Sequence, residues 1–219
     1  VPLVKAGLLI LSYLIGGIPT GYLLLKAGKN LDIRSYGSGN IGFTNVIRTA
    51  GPFWGFVVLL IDTGKAFAAV FFFARLLSRF SDPLTGQVFL FRVLFGTAAI
   101  AGNILNPFLA FKGGKGVGTG LGVALAVSPL PLIASLLVFG ATLAASRYVS
   151  LGSLAASLVF FGVNAAIFFS PEASLPFEAA LNRDVYALFF AGALCAVIII
   201  RHASNIRRLL NGEENKLGK

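Results

Sequence analysis

The sequence predicts an all-α polytopic membrane protein of about seven transmembrane helices, with the N-terminus outside and the C-terminus in the cytoplasm. Three observations predict it. The 219 residues are 57% hydrophobic and only 12% charged, against about 25% charged in an ordinary soluble domain; mean hydropathy is +0.87. The apolar residues fall into seven runs. The basic residues collect in alternate junctions between those runs, as cytoplasmic loops do. Seven spans of about 20 residues consume roughly 140. The remainder is too small for a separate soluble domain of ordinary size. Residues 1–219 therefore read as one integral membrane domain, which excludes a soluble dehydrogenase, kinase or DNA-binding module.

The runs, in order, are 3–25, 53–77, 88–105, 117–127, 132–145, 151–169 and 185–200. The first reads as a span and not as a cleaved signal, because it is long, contains Pro19 and continues into polar chain of functional character. The second carries Asp62 and Lys65 inside it. The fourth is stopped by Ser128-Pro129-Leu130-Pro131, and it and the fifth are short for a full crossing, as in a kinked or tilted pair. Lys26, Lys29, Arg34 and Arg48, then Lys112 and Lys115, then Arg147, then Arg201, Arg207, Arg208, Lys216 and Lys219 mark the cytoplasmic side. The opposite side has Glu172, Glu178 and Asp184 against Arg183, with Arg75 and Arg79 as exceptions.

The net charge is +10, from 18 Lys and Arg against 8 Asp and Glu. Without a basic domain outside the membrane, nucleic acid is no partner; anionic lipid and anionic substrates are. The single cysteine, Cys195, permits no internal disulfide and no cysteine metal cluster. It reads as a small apolar residue facing lipid or a neighbouring helix.

Three polar segments interrupt the apolar chain, all on the predicted cytoplasmic side. In the first, residues 36–48, Gly37, Gly39 and Gly42 formally satisfy G-x-G-x-x-G with Asp62 about 20 residues on. No βαβ unit can be built around it, so the dinucleotide reading is rejected. Glycines still let backbone N–H groups turn toward an anion. Ser38, Thr44 and Asn45 add neutral hydrogen-bonding groups, and Arg48 adds a cation suited to phosphate. The alternative is a flexible inter-span loop. In the second, residues 106–119, Lys112-Gly113-Gly114-Lys115-Gly116 before a helix suggests an anion cradle at a helix N-terminus. It is not a Walker A loop, since Gly116 stands where Ser or Thr should be. The alternative, membrane anchoring by two lysines, does not require the glycines. In the third, Arg201, Asn205 and Arg208 share one face if the last span continues as a helix, and His202 and Asn205 are neighbours at i, i+3. The alternative is a snorkelling basic helix end. Asp62 and Lys65 can pair at i, i+3, as a functional site or as a structural pair.

No Cys/His set suits zinc. The cytoplasmic carboxylates, Asp32, Asp62, Glu213 and Glu214, lack the spacing for glycosidase chemistry or magnesium-dependent phosphotransfer. The aspartates of CDP-alcohol phosphotransferases are absent. So is the His-x-x-x-x-Asp box of the common glycerolipid acyltransferases, because Arg207 stands five residues after His202.

Together the three segments resemble the bacterial acyl-phosphate:glycerol-3-phosphate acyltransferases, integral membrane enzymes of phosphatidic acid synthesis. GSGNIGFTNVIR at 37–48 is similar to that family's GSGN-x-G-x-TN-x-x-R. Pro107-x-x-x-Phe111-Lys-Gly-Gly-Lys-Gly at 107–116 and RHASNIRRLLNGEE at 201–214 are similar to its second and third motifs. Smaller likenesses are 17–22, Asp62-x-x-Lys65 and Arg147-Tyr148-Val149-Ser150. Two positions depart: Asn103 follows Gly102 where the family usually has histidine, and Phe43 replaces a usual alanine.

The resemblance implies seven helices, a site open to the cytoplasm of the bacterial inner membrane, and acyl transfer from acyl phosphate to the 1-hydroxyl of sn-glycerol 3-phosphate. The products are lysophosphatidic acid and inorganic phosphate. It implies catalytic roles for Ser38, Arg48, Lys115 and His202. Substrate-binding roles follow for Gly39, Asn40, Thr44, Asn45, Lys112, Gly113, Gly114, Gly116, Thr119, Ser150, Arg201 and Asn205. No metal or cofactor is expected, and a monomer is. Acyl phosphate is already activated, so direct transfer is favoured over an acylated Ser38. A transporter of an organic phosphate would use the same basic loops, but it calls for inverted repeats or a polar path between the faces. The sequence shows neither.

Overall fold

A computed structural model describes residues 2–80, 87–170 and 184–217. Glu172, Glu178, Arg183 and Lys219, used above for orientation, lie outside the described residues. The described chain is helical throughout: α1 (Pro2–Gly17), α2 (Thr20–Lys29), α3 (Phe43–Ala50), α4 (Pro52–Leu77), α5 (Gln87–Ile104), α6 (Val117–Val127), α7 (Pro129–Ser146), α8 (Val149–Phe169), α9 (Val185–Arg201) and α10 (Ala203–Leu210). Short 3-10 turns cover Ile33–Ser35 and Pro107–Leu109. The chain divides into two compact units, residues 1–126 and 127–219.

Each predicted run is a helix. Four (α4, α5 with its 3-10 extension, α7 and α8) are long and apolar enough to cross a membrane, and two bent pairs raise the number to six. The first run is the pair α1 and α2, bent by 44°. Pro19 supplies no N–H there, so the α1 ladder cannot continue. The fourth run, α6, has 11 residues. At about 1.5 Å per residue it spans about 16 Å, short of a hydrocarbon core of about 30 Å. Large apolar side chains face outward on the long helices, including Phe53, Phe56 and Leu60 on α4, Leu137 on α7, Leu158 on α8 and Phe189 on α9. Such faces suit lipid and not water.

The first unit is built on a close crossing of α1 with α5. A Cβ on Gly16 would lie 2.0 Å from the Ala99 carbonyl oxygen, and one on Gly102 1.9 Å from that of Tyr13. Small residues of this kind let membrane helices approach backbone to backbone. Helix α6 lies equally close to α4, where a Cβ on Gly122 would be 2.1 Å from the Thr63 oxygen and the Thr63 hydroxyl donates to the Gly118 carbonyl at 3.2 Å.

Asp62 and Lys65 hold the α1–α2 break. Their side chains pair at 2.7 Å, almost out of solvent. Lys65 Nζ donates to the Ile18 carbonyl at 2.6 Å, an acceptor released by the break. Thr20 Oγ1 donates to Asp62 Oδ1 at 2.7 Å. Each member of the pair thus has an oppositely charged partner and a further hydrogen bond, which offset the cost of burying it. This pair acts on the backbone at the kink.

In the second unit α8 packs between α7 and α9. Ser153, Ser157 and Asn164 of α8 are buried and satisfy themselves on carbonyls of their own helix. The last span does not continue straight. It breaks at His202, and α9 and α10 meet at 59°.

Candidate functional site

In the first unit the chain leaves α2 through Asn30, whose left-handed φ of 51° ends the helix. Asp32 caps the next turn by accepting the Arg34 N–H at 3.0 Å. The Arg34 guanidinium pairs with the same carboxylate at 2.6 Å and lies 4.7 Å from the Tyr22 ring centre. The hydrogen-bonded Arg34 holds the Asp32 carboxyl down at about 2.

Residues 36–42 then fold around one side chain. Asn45, 2% exposed, accepts the Ser38 N–H at 2.9 Å. Its amide nitrogen donates to the carbonyls of Tyr36 and Asn40, both at 2.9 Å, and lies 3.4 Å from that of Ile33. Asn40 Oδ1 accepts the Gly42 N–H at 2.8 Å. Gly37 and Gly39 take φ of 55° and 69°, left-handed conformations that glycine adopts without steric cost. Ser38 sits exposed on top of this turn, Thr44 is half-buried in the first turn of α3, and Arg48 is half-buried in its last. The turn rests on a core of Leu25, Ile33, Ile41, Val46 and Val58. The segment is therefore an ordered turn leading into a short helix. Asn45, expected among the substrate-binding residues, has its amide engaged with the loop backbone.

The 105–116 segment is fastened at both ends. Buried Asn106 donates to the Gly17 carbonyl at 2.6 Å and accepts the Phe108 N–H at 3.0 Å. Ala110 and Phe111 both take left-handed φ, 51° and 61°, which turns the chain back toward α5. There Gly113 N–H donates to the Ile104 carbonyl at 3.1 Å and Gly114 N–H to that of Asn103 at 3.0 Å. Gly116 N–H donates to Asn103 Oδ1 at 3.2 Å. The amides expected to cradle an anion are thus directed onto the end of α5. The cationic side chains Lys112, exposed, and Lys115, half-buried, belong to this turn, and α6 opens directly after it. A helix start favours an anion through its first amides and dipole. The Thr119 hydroxyl, in the first turn of α6, is buried and finds no hydrogen-bond partner among the described residues.

In the second unit a carboxylate gathers the predicted groups. Glu214 Oε1 accepts from Ser150 Oγ at 3.0 Å and from Asn205 Nδ2 at 2.8 Å. Its Oε2 accepts from Arg208 Nε at 2.7 Å. Burial alone pushes the Glu214 carboxyl up, but the hydrogen bonds from Asn205, Arg208 and Ser150 outweigh it and hold the group below its ordinary value. Buried His202 bonds the Ile198 carbonyl through Nδ1 at 2.8 Å, which places a proton on Nδ1 because a carbonyl only accepts. Arg201 is exposed at the end of α9. The expected face of Arg201, Asn205 and Arg208 depended on an unbroken helix. The bend at His202 removes that condition, and Asn205 and Arg208 meet through Glu214 instead.

Two participants escaped the sequence reading. Glu214 sits in a charged tail that looks solvated, its only signal being the Gly-x-Glu spacing of the third segment. Asn103 appeared only as a departure from a pattern, and its hydrogen bond to Gly116 gives it a place.

Comparison with known proteins places this arrangement. The sequence model of the family described as glycerol-3-phosphate acyltransferase matches residues 6–212. A glycerol-3-phosphate acyltransferase of Endomicrobium trichonymphae is 38% identical over 98% of this chain and 96% of its own. One of Geobacter sulfurreducens is 40% identical over 94% and 93%. A crystal structure of PlsY, an integral membrane glycerol 3-phosphate acyltransferase, in its glycerol 3-phosphate form superposes with a TM-score of 0.80 at 36% identity, covering 98% of this chain and 96% of that one. Its lysophosphatidic acid form gives 0.78 at 35%, covering 98% and 95%. The chain belongs to the glycerol-3-phosphate acyltransferase family of integral membrane enzymes.

Proposed function

We propose that the protein transfers a fatty acyl group from acyl phosphate to the 1-hydroxyl of sn-glycerol 3-phosphate, releasing lysophosphatidic acid and inorganic phosphate, in the phospholipid synthesis of a bacterium. The observation that carries this reading is the placement of Arg48 on the short helix that follows one ordered glycine-rich turn, and of Lys112 and Lys115 on the other, in an otherwise apolar chain. Both substrates are phosphorylated, and guanidinium and ammonium groups are suited to phosphate. The acyl tail belongs in lipid, which is what the outward faces of the helices require.

In the step, the glycerol hydroxyl oxygen attacks the carbonyl carbon of acyl phosphate. The new ester C–O bond forms as the C–O bond to phosphate breaks. The hydroxyl proton passes to a phosphate oxygen, and phosphate departs with the bonding pair. Arg48 and Lys115 offset the charge that develops on the carbonyl oxygen and the leaving group. Lys112, Thr119 and the turn shaped by Gly113, Gly114 and Gly116 hold phosphate. Ser38, with Gly39, Asn40 and Thr44 beside it, orients the hydroxyl or a phosphate oxygen, and Asn45 holds that turn. His202, Asn205, Arg201 and Ser150 bind glycerol phosphate. No covalent acyl-enzyme is needed, so a Ser38→Ala variant weakens binding, and trapped enzyme gains no acyl mass. We further propose that residues 1–219 act as one domain and as a monomer in the inner membrane, with an odd number of crossings, the N-terminus outside, and these residues open to the cytoplasm.

The test incubates purified protein with labelled glycerol 3-phosphate and either palmitoyl phosphate or palmitoyl-CoA. Lysophosphatidic acid from palmitoyl phosphate alone is the expected result. Product from the CoA donor moves the enzyme to another donor class, and an acylated Ser38 overturns direct transfer.

A further inference from the structure

The turn that carries Lys112 and Lys115 is fixed by the last residues of α5, and only one of the hydrogen bonds described there comes from a side chain. Gly113 and Gly114 reach backbone carbonyls of Ile104 and Asn103, contacts that any residue at 103 or 104 would offer. The Gly116 N–H reaches Asn103 Oδ1 at 3.2 Å, and Asn103 is 6% exposed. The turn lies directly on this residue. A Cβ on Gly113 would stand 1.9 Å from the Asn103 carbonyl oxygen, and one on Gly114 2.8 Å from Oδ1. Gly116 has φ 78°, and its own carbonyl accepts the Gly120 N–H at 2.7 Å, the first bond of the α6 ladder. The amide held by Asn103 therefore sets where α6 begins, and so where the preceding Lys115 and the following first turn stand.

We propose that Asn103 is a positioning residue for acyl transfer: its amide oxygen holds the Gly116 N–H so that Lys115 and the first turn of α6 are presented to substrate phosphate, and, being neutral, it holds them equally at every pH. The proposal rests on the reading of 112–119 as the phosphate-binding segment. It gives a chemical meaning to the departure at this position. A neutral imidazole can accept this hydrogen bond through one ring nitrogen, whereas a protonated one has no acceptor left. A histidine here would make the hold on the turn depend on pH, and asparagine removes that dependence. The ionisable side chains on the elements packed against this turn are Lys5 and Tyr13 of α1, Asp62, Lys65 and Arg75 of α4, Arg92 of α5, and Lys112 and Lys115 of the turn itself. The chain's one histidine, His202, belongs to the second unit.

The test compares wild type, Asn103→Ala and Asn103→His by steady-state kinetics with palmitoyl phosphate and glycerol 3-phosphate between pH 5.5 and 8.5, with folding followed by detergent size-exclusion and thermal unfolding. The expected result for Asn103→Ala is at least a tenfold fall in kcat/KM per folded molecule, carried mainly by a raised KM for a phosphorylated substrate. For Asn103→His it is activity within about threefold of wild type at pH 8, then a loss approaching tenfold per unit below an imidazole pKa of about 6.5. The wild type lacks this limb, which is read from the ratio of the variant and wild-type profiles. A role limited to helix packing would lower the folded fraction and leave no new pH limb. Asn103→Ala within threefold of wild type, or Asn103→His with the wild-type profile, overturns the proposal; if Asn103→Ala does not fold, the histidine variant decides alone. Wild type inactive with both substrates refutes the functional reading, and the proposal falls with it. An active wild type with unaffected variants refutes this proposal only.

Discussion

Asn45→Ala is the most direct probe of how the Ser38 turn is held. Asn45 makes three hydrogen bonds of 2.9 Å to that turn, accepting from the Ser38 N–H and donating to the Tyr36 and Asn40 carbonyls. A neutral hydrogen bond contributes about 1 kcal/mol net, so the set contributes about 3 kcal/mol at most. Ser38 and its neighbours are open to water, and water can take over part of the freed groups, which brings the loss to about 2–3 kcal/mol. At about 1.4 kcal/mol per factor of ten, the ordered turn loses about 30- to 150-fold in population. The assay is kcat/KM for lysophosphatidic acid formation, normalised to folded protein, and the expected fall lies in that range. Asn45→Asp separates acceptor from donor. It keeps an oxygen for the Ser38 N–H but sets a second oxygen against the Tyr36 and Asn40 carbonyls, so it should do no better than alanine. A fall below about threefold in the alanine variant, or an active Asn45→Asp enzyme, refutes the claim that this amide orders the turn.

Lys65→Met strands the Asp62 carboxylate in the apolar interior and removes the Lys65 hydrogen bond to the Ile18 carbonyl, and breaking a buried pair costs about 3–5 kcal/mol; Asp62→Asn/Lys65→Met should recover part of the lost thermal stability, and a double variant less stable than the single one contradicts the pairing. Glu214 has a depressed folded-state pKa, so its contribution is complete above the ordinary carboxylate value of 4.5 and is lost as pH falls through the lower folded value. The gap in melting temperature between wild type and Glu214→Gln should therefore be full near pH 7 and close on acidification below 4.5, and a gap that persists there shows the carboxylate charge to be irrelevant. Gly113→Ala tests how the second turn works: it keeps the amide but puts a Cβ 1.9 Å from the Asn103 carbonyl. Binding of glycerol 3-phosphate, measured by calorimetry, should weaken at least tenfold; unchanged affinity would mean that the turn need not lie on α5.

The helices were legible because a span must be apolar along its whole length. The runs at 117–127 and 185–200 differ from α6 and α9 by at most one residue. Three features were not legible, each for a reason of tertiary structure. Helix α3 contains Thr44, Asn45 and Arg48 and carries no apolar run; it forms because Val46 is buried in the first unit's core and Ile47 lies against Gly55 of α4. The break at His202 has neither proline nor glycine to announce it. Glu214 reads as part of a solvated tail until Gly212, at φ 71°, turns the chain and the Leu217 N–H bonds the Arg147 carbonyl at 2.8 Å. Composition located the polar segments correctly, but it could not say which way an amide points. That direction separates an asparagine that touches substrate from one that holds a loop.

That distinction runs through the first unit. Both glycine-rich turns are organised by asparagines, Asn45 for one and Asn103 for the other, with Asn40 and Asn106 in support. Arg48 follows the first turn on α3, and Lys112 and Lys115 lie on the second. A carboxylate in the place of either organising amide would accept the same N–H groups more strongly. It would also add a negative charge to the turn and raise the electrostatic cost of bringing in an anion. An ammonium or guanidinium could not accept those N–H groups at all. A neutral amide offers an acceptor without adding charge to the turn. In the second unit the constraint differs. The organising group there is the Glu214 carboxylate, and Arg208 at 2.7 Å offsets its charge, so the carboxylate can gather Ser150 and Asn205 without leaving a bare negative charge beside them.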